Sequence, residues 1–321
     1  MSTARLYVHS ELRDVRYVDL PTYLGVSHPK GVVHHMGLAL ELDGELVIRA
    51  VDARMMTAPF EPSAETWGEG CRHILPNFQR LVGLRMDETY PLRVLETVGS
   101  RLGCFHILSL AQCLPPAIRA ATRRLCAQAL RMPEKGRESV LDSCVQWRRE
   151  SPLWAESRPS NDDGFRNFRR HIAIEAHTTD GTRLGLDGRL DDEPDDMERT
   201  GAELALELGF PAFTILSAEA RLDPPPFSGC TSALDSVRDL HRLSINKGFT
   251  GAALEKIGGG AGCAHLSALL VAVTPVTAQA AGAVAGFLGL RPEQRPREGR
   301  ANPQIDSCHM WRADGPLVSL K

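Results

Sequence analysis

The stretch Gly262-Cys263-Ala264-His265-Leu266 sets a thiol and an imidazole one residue apart, where a glycine-rich run gives way to a helical pattern. Backbone N–H groups at a helix start favour a thiolate over a thiol, so a cysteine there can serve as a nucleophile or a metal ligand. Residues two apart point about 200° apart on a helix. The pair can therefore face one site only from the turn that precedes the helix. Farther along, Asp306-Ser307-Cys308-His309 supplies a carboxylate, a second thiol and a second imidazole. Cys263, His265, Cys308 and His309 together make a legitimate ligand set for a tetrahedral ion, zinc or iron, although their spacing fits no finger or ribbon pattern. The same groups also suit covalent catalysis, with Cys263 as nucleophile, His265 as base and Asp306 orienting the imidazole.

These residues are written twice. Gly103-Cys104-Phe105-His106-Ile107 is an earlier copy, and Asp142-Ser143-Cys144 matches Asp306-Ser307-Cys308. Shifted by 159, Gly70–Leu110 matches Gly229–Leu269 at 12 of 41 positions without a gap, where chance leaves roughly three. Cys71 and Cys230 are among the matches. The chain is thus expected to hold two homologous units, 1–157 and 158–321. Val145 stands where the second unit has His309, so the second unit is expected to hold the complete set and the first an impaired one.

Each unit lists strand signals first and helix signals after. Arg5–Glu11, His171–His177 and Arg183–Leu190 alternate or read as strands. Asp43-Gly44 marks a hairpin between Met36–Leu42 and Glu45–Val51, and Gly209-Phe210-Pro211 marks one between Ala202–Leu208 and Ala212–Ala218. Asp191–Glu198 reads as an acidic, solvated loop. Helical spacing then begins at Cys71 and Cys230, recurs over Leu92–Val98 and around Leu254, and continues in long helices over 107–130 and 265–290. Polar connectors at 158–164 and 291–302 separate these parts. The order implies an α+β fold, with an antiparallel sheet or hairpin followed by helices in each unit and the two units packed with pseudo-two-fold symmetry.

Composition limits the function classes. The chain has 321 residues, 43% of them apolar and 24% charged, with a net charge of -3. That balance fits a soluble protein and gives no general attraction to nucleic acid or to anionic membrane. The charge-free run from Leu266 to Leu290 is rich in Ala and Gly and holds Pro275, and its first-unit counterpart carries Arg119, Arg123 and Arg124. Neither reads as a membrane span. The start has no export-signal pattern, so the eight cysteines are expected to be reduced thiols or ligands in a cytoplasmic protein. Cys113 and Cys126, within an amphipathic pattern, read as buried small apolar residues. Gly258–Gly262 fails both phosphate-loop templates.

The second unit resembles the DUF2889 family. It carries the Gly-Cys-x-His-Leu stretch at 262–266, the Asp-Ser-Cys-His of 306–309, the opening Arg170-His171-Ile172 and the run Asp187–Asp192. The first unit matches through Pro59-Phe60, Leu81–Leu84 and Gly103-Cys104, and departs at Val145. The resemblance implies no activity. The order of hairpin, helix-start cysteine and later helical cysteine is also similar to iron–sulfur scaffold proteins of the IscU/NifU type. The leading expectation is a lyase or hydrolase acting on a small-molecule substrate. A non-catalytic metal or iron–sulfur handling protein, and a binding module with structural cysteines, are the alternatives. A homodimer is the candidate assembly.

Overall fold

A computed structural model describes residues 5–17, 19–23, 26–115, 118, 131–132, 141–152, 158–159, 165–178, 182–195, 199–210, 212–246, 248–287 and 305–319. The expected first long helix beyond residue 118, the connectors 133–140 and 291–304, and most of the linker 158–164 lie outside the described residues.

Strict alternation makes the first strand, β1 (Arg5–Arg16), bury Leu6, Val8, Ser10, Leu12, Asp14 and Arg16 while the residues between them face outward. The short strands β2 (Leu20–Tyr23) and β3 (Val26–His28) pair with each other, and β4 (Gly31–Asp43) turns into β5 (Ile48–Thr57). Asp43 shapes that turn: its Oδ1 accepts the backbone N–H of Glu45 and of Val47 at 2.9 and 3.0 Å. Two-residue strands β6 (Arg131–Met132) and β7 (Arg158–Pro159) form a separate parallel pair. The second half supplies β8 (Phe165–His177), β9 (Arg183–Pro194), β10 (Thr200–Gly209) and β11 (Thr214–Leu222).

Seven strands form one sheet in the order β11-β10-β9-β8-β1-β4-β5. The halves join where β1 runs parallel to β8; the other pairings are antiparallel. The expected α+β class is present, and one continuous sheet carries strands from both halves. β9 runs on through Asp192 to Pro194, so the acidic loop expected over Asp191–Glu198 begins as strand for its first four residues, and residues 196–198 lie outside the described ones. Alternation continues through the run, and Asp192 falls on the buried face.

Helices cover that face. In the first half, the 3-10 segment Cys71–Leu81, α1 (Tyr90–Val98) and α2 (Phe105–Gln112) follow the hairpin. In the second, the 3-10 segment Ser228–Leu240, α3 (Phe249–Ile257) and α4 (Ala264–Phe287) follow in the same order, and a last turn, α5 (Pro316–Ser319), ends the described chain. Ile74, Phe78 and Leu81, at helical spacing, are buried against the sheet, as are Ala233, Val237 and Leu240 in the second half. Each of the larger side chains among them, withdrawn fully from water, contributes about 1.5–3 kcal/mol. The opposite face is polar: Glu203 pairs with Arg189 on β9 and with Arg221 on β11. Such cross-strand pairs add roughly 0.2–1 kcal/mol each. No helix among the described residues is long and apolar enough to cross a membrane.

Candidate functional site

Both Cys-x-His pairs stand where a tight turn delivers a strand-like residue to a helix start. Cys104 has extended backbone (φ -112°, ψ 130°) and its carbonyl accepts the first helical hydrogen bond, from Leu108 at 2.9 Å. Cys263 does the same for Ser267 at 2.9 Å. Cysteine therefore precedes the helix and histidine lies in its first turn, which resolves the facing problem. The thiol sulfur is 3.9 Å from His Nδ1 in both copies. The glycine before each cysteine is dictated by close approach: a Cβ at Gly103 would lie 1.9 Å from the Val98 carbonyl oxygen, and one at Gly262 1.7 Å from that of Ile257.

A strand carboxylate completes each pair. In the second half, His265 Nε2 lies 3.1 Å from Asp192 Oδ2. Arg170 on β8, opposite Asp192 in register, donates to both carboxylate oxygens at 2.7 and 2.6 Å. Its third bond goes to the Cys113 carbonyl at the end of α2, at 2.7 Å. Burial favours a neutral Asp192, but the charge and hydrogen bonds of Arg170, with those of His265, outweigh it and hold the carboxyl down to about 2. Burial likewise opposes a charged His265, yet bonds to Asp192 and Cys263 push it up to about 9. Burial also works against a Cys263 thiolate, and His265 with the helix-start N–H groups more than offsets it, lowering the thiol. A cysteine, an imidazolium, a carboxylate and a guanidinium thus lie along one line, the last three alternating in charge.

The first half builds the same line with one change. Asp14 Oδ2 lies 3.4 Å from His106 Nε2, within ion-pair range but outside hydrogen-bond geometry, and His106 Nε2 is buried with no hydrogen-bond partner. Across β8, Asp14 faces Ile174 where Asp192 faces Arg170, and across β4 it faces His34; the buried Arg16, two residues on, adds a positive charge nearby. His34 Nδ1 is 2.9 Å from Asp14 Oδ2, and the His34 backbone N–H donates to Oδ1 at 2.7 Å. The two imidazole rings stack with centroids 3.7 Å apart. Burial raises the Asp14 carboxyl, but His34 and His106 hold it well below the usual carboxylate range.

The two Asp-Ser-Cys blocks dock crosswise. Val145 of the first block donates its N–H to the Gly262 carbonyl of the second half at 2.9 Å. His309 of the second block donates to Gly103 of the first, also at 2.9 Å. Glu69 fixes that second dock by accepting two bonds from Arg312 at 2.6 and 2.7 Å, and His309 Nε2 lies 3.1 Å from the same carboxylate. Cys308 and His309 therefore line a cavity of about 60 Å³ with His34, Cys71, Cys104 and His106. That volume holds about two waters or one reacting group. Burial, with the neighbouring Cys104 and Cys308, pushes the Cys71 thiol far up, and burial raises Cys308. Burial and the charge of Arg312 keep His309 below its ordinary range.

The expected quartet of Cys263, His265, Cys308 and His309 is thus split. Cys263 and His265 stay together, but Cys308 and His309 join the other half's cysteine and histidine, and the fuller constellation surrounds Cys104. Asp306 does not orient His265. Its backbone is left-handed (φ 61°), its N–H donates to Trp311 at 2.9 Å, and its Oδ1 accepts from Ala313 at 3.0 Å. It closes its own turn, while Asp192 and Asp14 take the orienting place. Both were findable, as acids on the apolar side of an alternating strand. The glycine run Gly259–Gly260 lies against Asp142 of the first block.

A family model described as "Protein of unknown function (DUF2889)" matches residues 2–119 and again residues 163–279. Each matched segment contains one Cys-x-His pair and its strand carboxylate, and neither reaches the crosswise blocks. No curated protein and no solved structure matches the chain, so the likeness to iron–sulfur scaffolds finds no support.

Proposed function

The chain belongs to the DUF2889 family, and we propose that it is a small-molecule enzyme, a hydrolase or lyase, whose nucleophile is Cys104 at the floor of the cavity. The observation that carries this reading is the repeated Cys–His–Asp line, one copy of which opens into a cavity faced by a second imidazole. In the hydrolase form, the Cys104 thiolate attacks an electrophilic carbon and the leaving group departs. Water, deprotonated by the neutral His309, then cleaves the thioester and restores the thiolate. His106 Nδ1 faces the sulfur as a donor to the thiolate. The Cys263 line, closed by Arg170, is the retained twin and stiffens the frame. In the same reading, an approximate two-fold axis normal to the sheet at β8 relates the halves, since β1, β4 and β5 on one side run opposite to β9, β10 and β11, respectively, on the other. The compartment would be the cytoplasm, where free thiols persist.

Small activated esters and thioesters, followed by intact-protein mass spectrometry, test this. Acylation is expected on Cys104, slowed by His106→Gln, with the acyl-enzyme accumulating in His309→Gln. Acylation spread evenly over the cysteines, and unchanged by either variant, would overturn it. A non-catalytic module is the second reading, favoured by the burial that keeps Cys71, Cys113 and Cys308 as thiols.

A further inference from the structure

The first half differs from the second in the cation that faces its buried carboxylate. Asp192 is bonded by the fixed charge of Arg170, whereas Asp14 has two imidazoles at its carboxylate, Ile174 across β8 and the charge of Arg16 two residues on, which makes no bond to it. We infer that Asp14, His34 and His106 hold one divalent transition-metal ion of the zinc class, which supplies to Asp14 the positive charge that Arg170 supplies to Asp192.

Three features support this. The ligand atoms Asp14 Oδ2, His34 Nδ1 and His106 Nε2 all lie within 4.8 Å of one another. The two edges at Asp14 measure 2.9 and 3.4 Å, and a tetrahedron with bonds of about 2.0–2.1 Å has edges of roughly 3.3 Å. His106 Nε2 is buried with no hydrogen-bond partner. A buried nitrogen left without a partner is destabilising, and a ligand bond removes that penalty. The outer shell is also in place: the His34 N–H fixes Asp14 Oδ1, leaving Oδ2 for the ion. Two histidines and one carboxylate leave coordination positions open, and both histidines line the cavity. With Nε2 on the ion, His106 keeps its proton on Nδ1, toward Cys104. The site does not depend on Cys104 being a nucleophile, and it can stand if that reading fails.

Cobalt(II) and zinc titrations of the full chain, after chelator treatment, test the inference. One equivalent per chain is expected, with X-ray absorption of the zinc-loaded wild type reporting two imidazoles and a nitrogen/oxygen-dominated shell. His34→Gln should weaken binding by at least ~100-fold, more than loss of an outer-shell partner does. Asp192→Asn should keep the full equivalent. Melting in chelator separates unfolding from lost ligation, and the wild-type absorption spectrum stands independently of any variant. No bound equivalent, a shell dominated by sulfur from Cys71, Cys104 and Cys308, or unchanged binding in a folded His34→Gln protein would overturn the site.

Discussion

Arg170→Met tests the charge line of the second half. Arg170 is 1% exposed and its three bonds reach two carboxylate oxygens and the carbonyl at the end of α2. Asp192 is displaced from 3.8 to about 2, so its ionised form carries roughly 2 kcal/mol of stability at neutral pH. Removing the guanidinium takes away the largest favourable part of that and leaves a buried carboxylate with His265 alone. Truncating one partner of such a pair costs about 3–5 kcal/mol. The variant should therefore unfold at clearly lower urea than wild type at neutral pH. Arg170→Lys, which keeps charge but not the two-pronged geometry, should fall between. Adding Asp192→Asn to Arg170→Met should recover at least ~1 kcal/mol, because the stranded charge is gone. An Arg170→Met protein within about 1 kcal/mol of wild type, or a double variant no better than the single, would refute the buried charge line.

Gly103→Ala should destabilise the first half by about 2 kcal/mol or more, since the added carbon meets the Val98 carbonyl at 1.9 Å; equal stability in a thermal melt would contradict this. Arg312→Ala should cost about 1 kcal/mol and raise the alkylation rate of Cys308, because the Glu69 dock then loosens; an unchanged rate counts against the crosswise docking. His265 is raised from 6.5 to about 9, so its protonation contributes stability that is fully present below about 6.5 and lost as pH rises through about 9. The stability gap between wild type and His265→Gln should narrow over that window, and a gap that widens there would reverse the assigned sign.

Much of this was legible because local chemistry dictates it. The duplication is written in matched thiols, imidazoles and glycines, and Asp43-Gly44 announces its hairpin by the carboxylate that caps it. The Cys-x-His pairs follow from residue type and the glycine before them. What could not be read is long-range. Nothing local tells the block at 306–309 that its dock is Gly103 rather than Gly262, because both glycine turns offer the same carbonyl. Arg312 and Glu69, some 240 residues apart, decide it. Asp192 was hidden by its acidic neighbours, which imitate a solvated loop although Leu184, Leu186 and Leu190 keep the period of two through it. Asp14 lies beyond the evident end of its alternation at Glu11, and His34, next to His35, gives no local sign of a site until β1 is laid beside β4.

The most direct test of the account is the rate at which a small haloacetamide labels each cysteine, resolved by peptide mass spectrometry across pH. Cys104 should react first, at least ~10-fold faster than Cys71 or Cys308 at neutral pH, and should lose that lead in His106→Gln. Equal, slow labelling of all three cavity thiols, indifferent to His106, would contradict a nucleophile at this site.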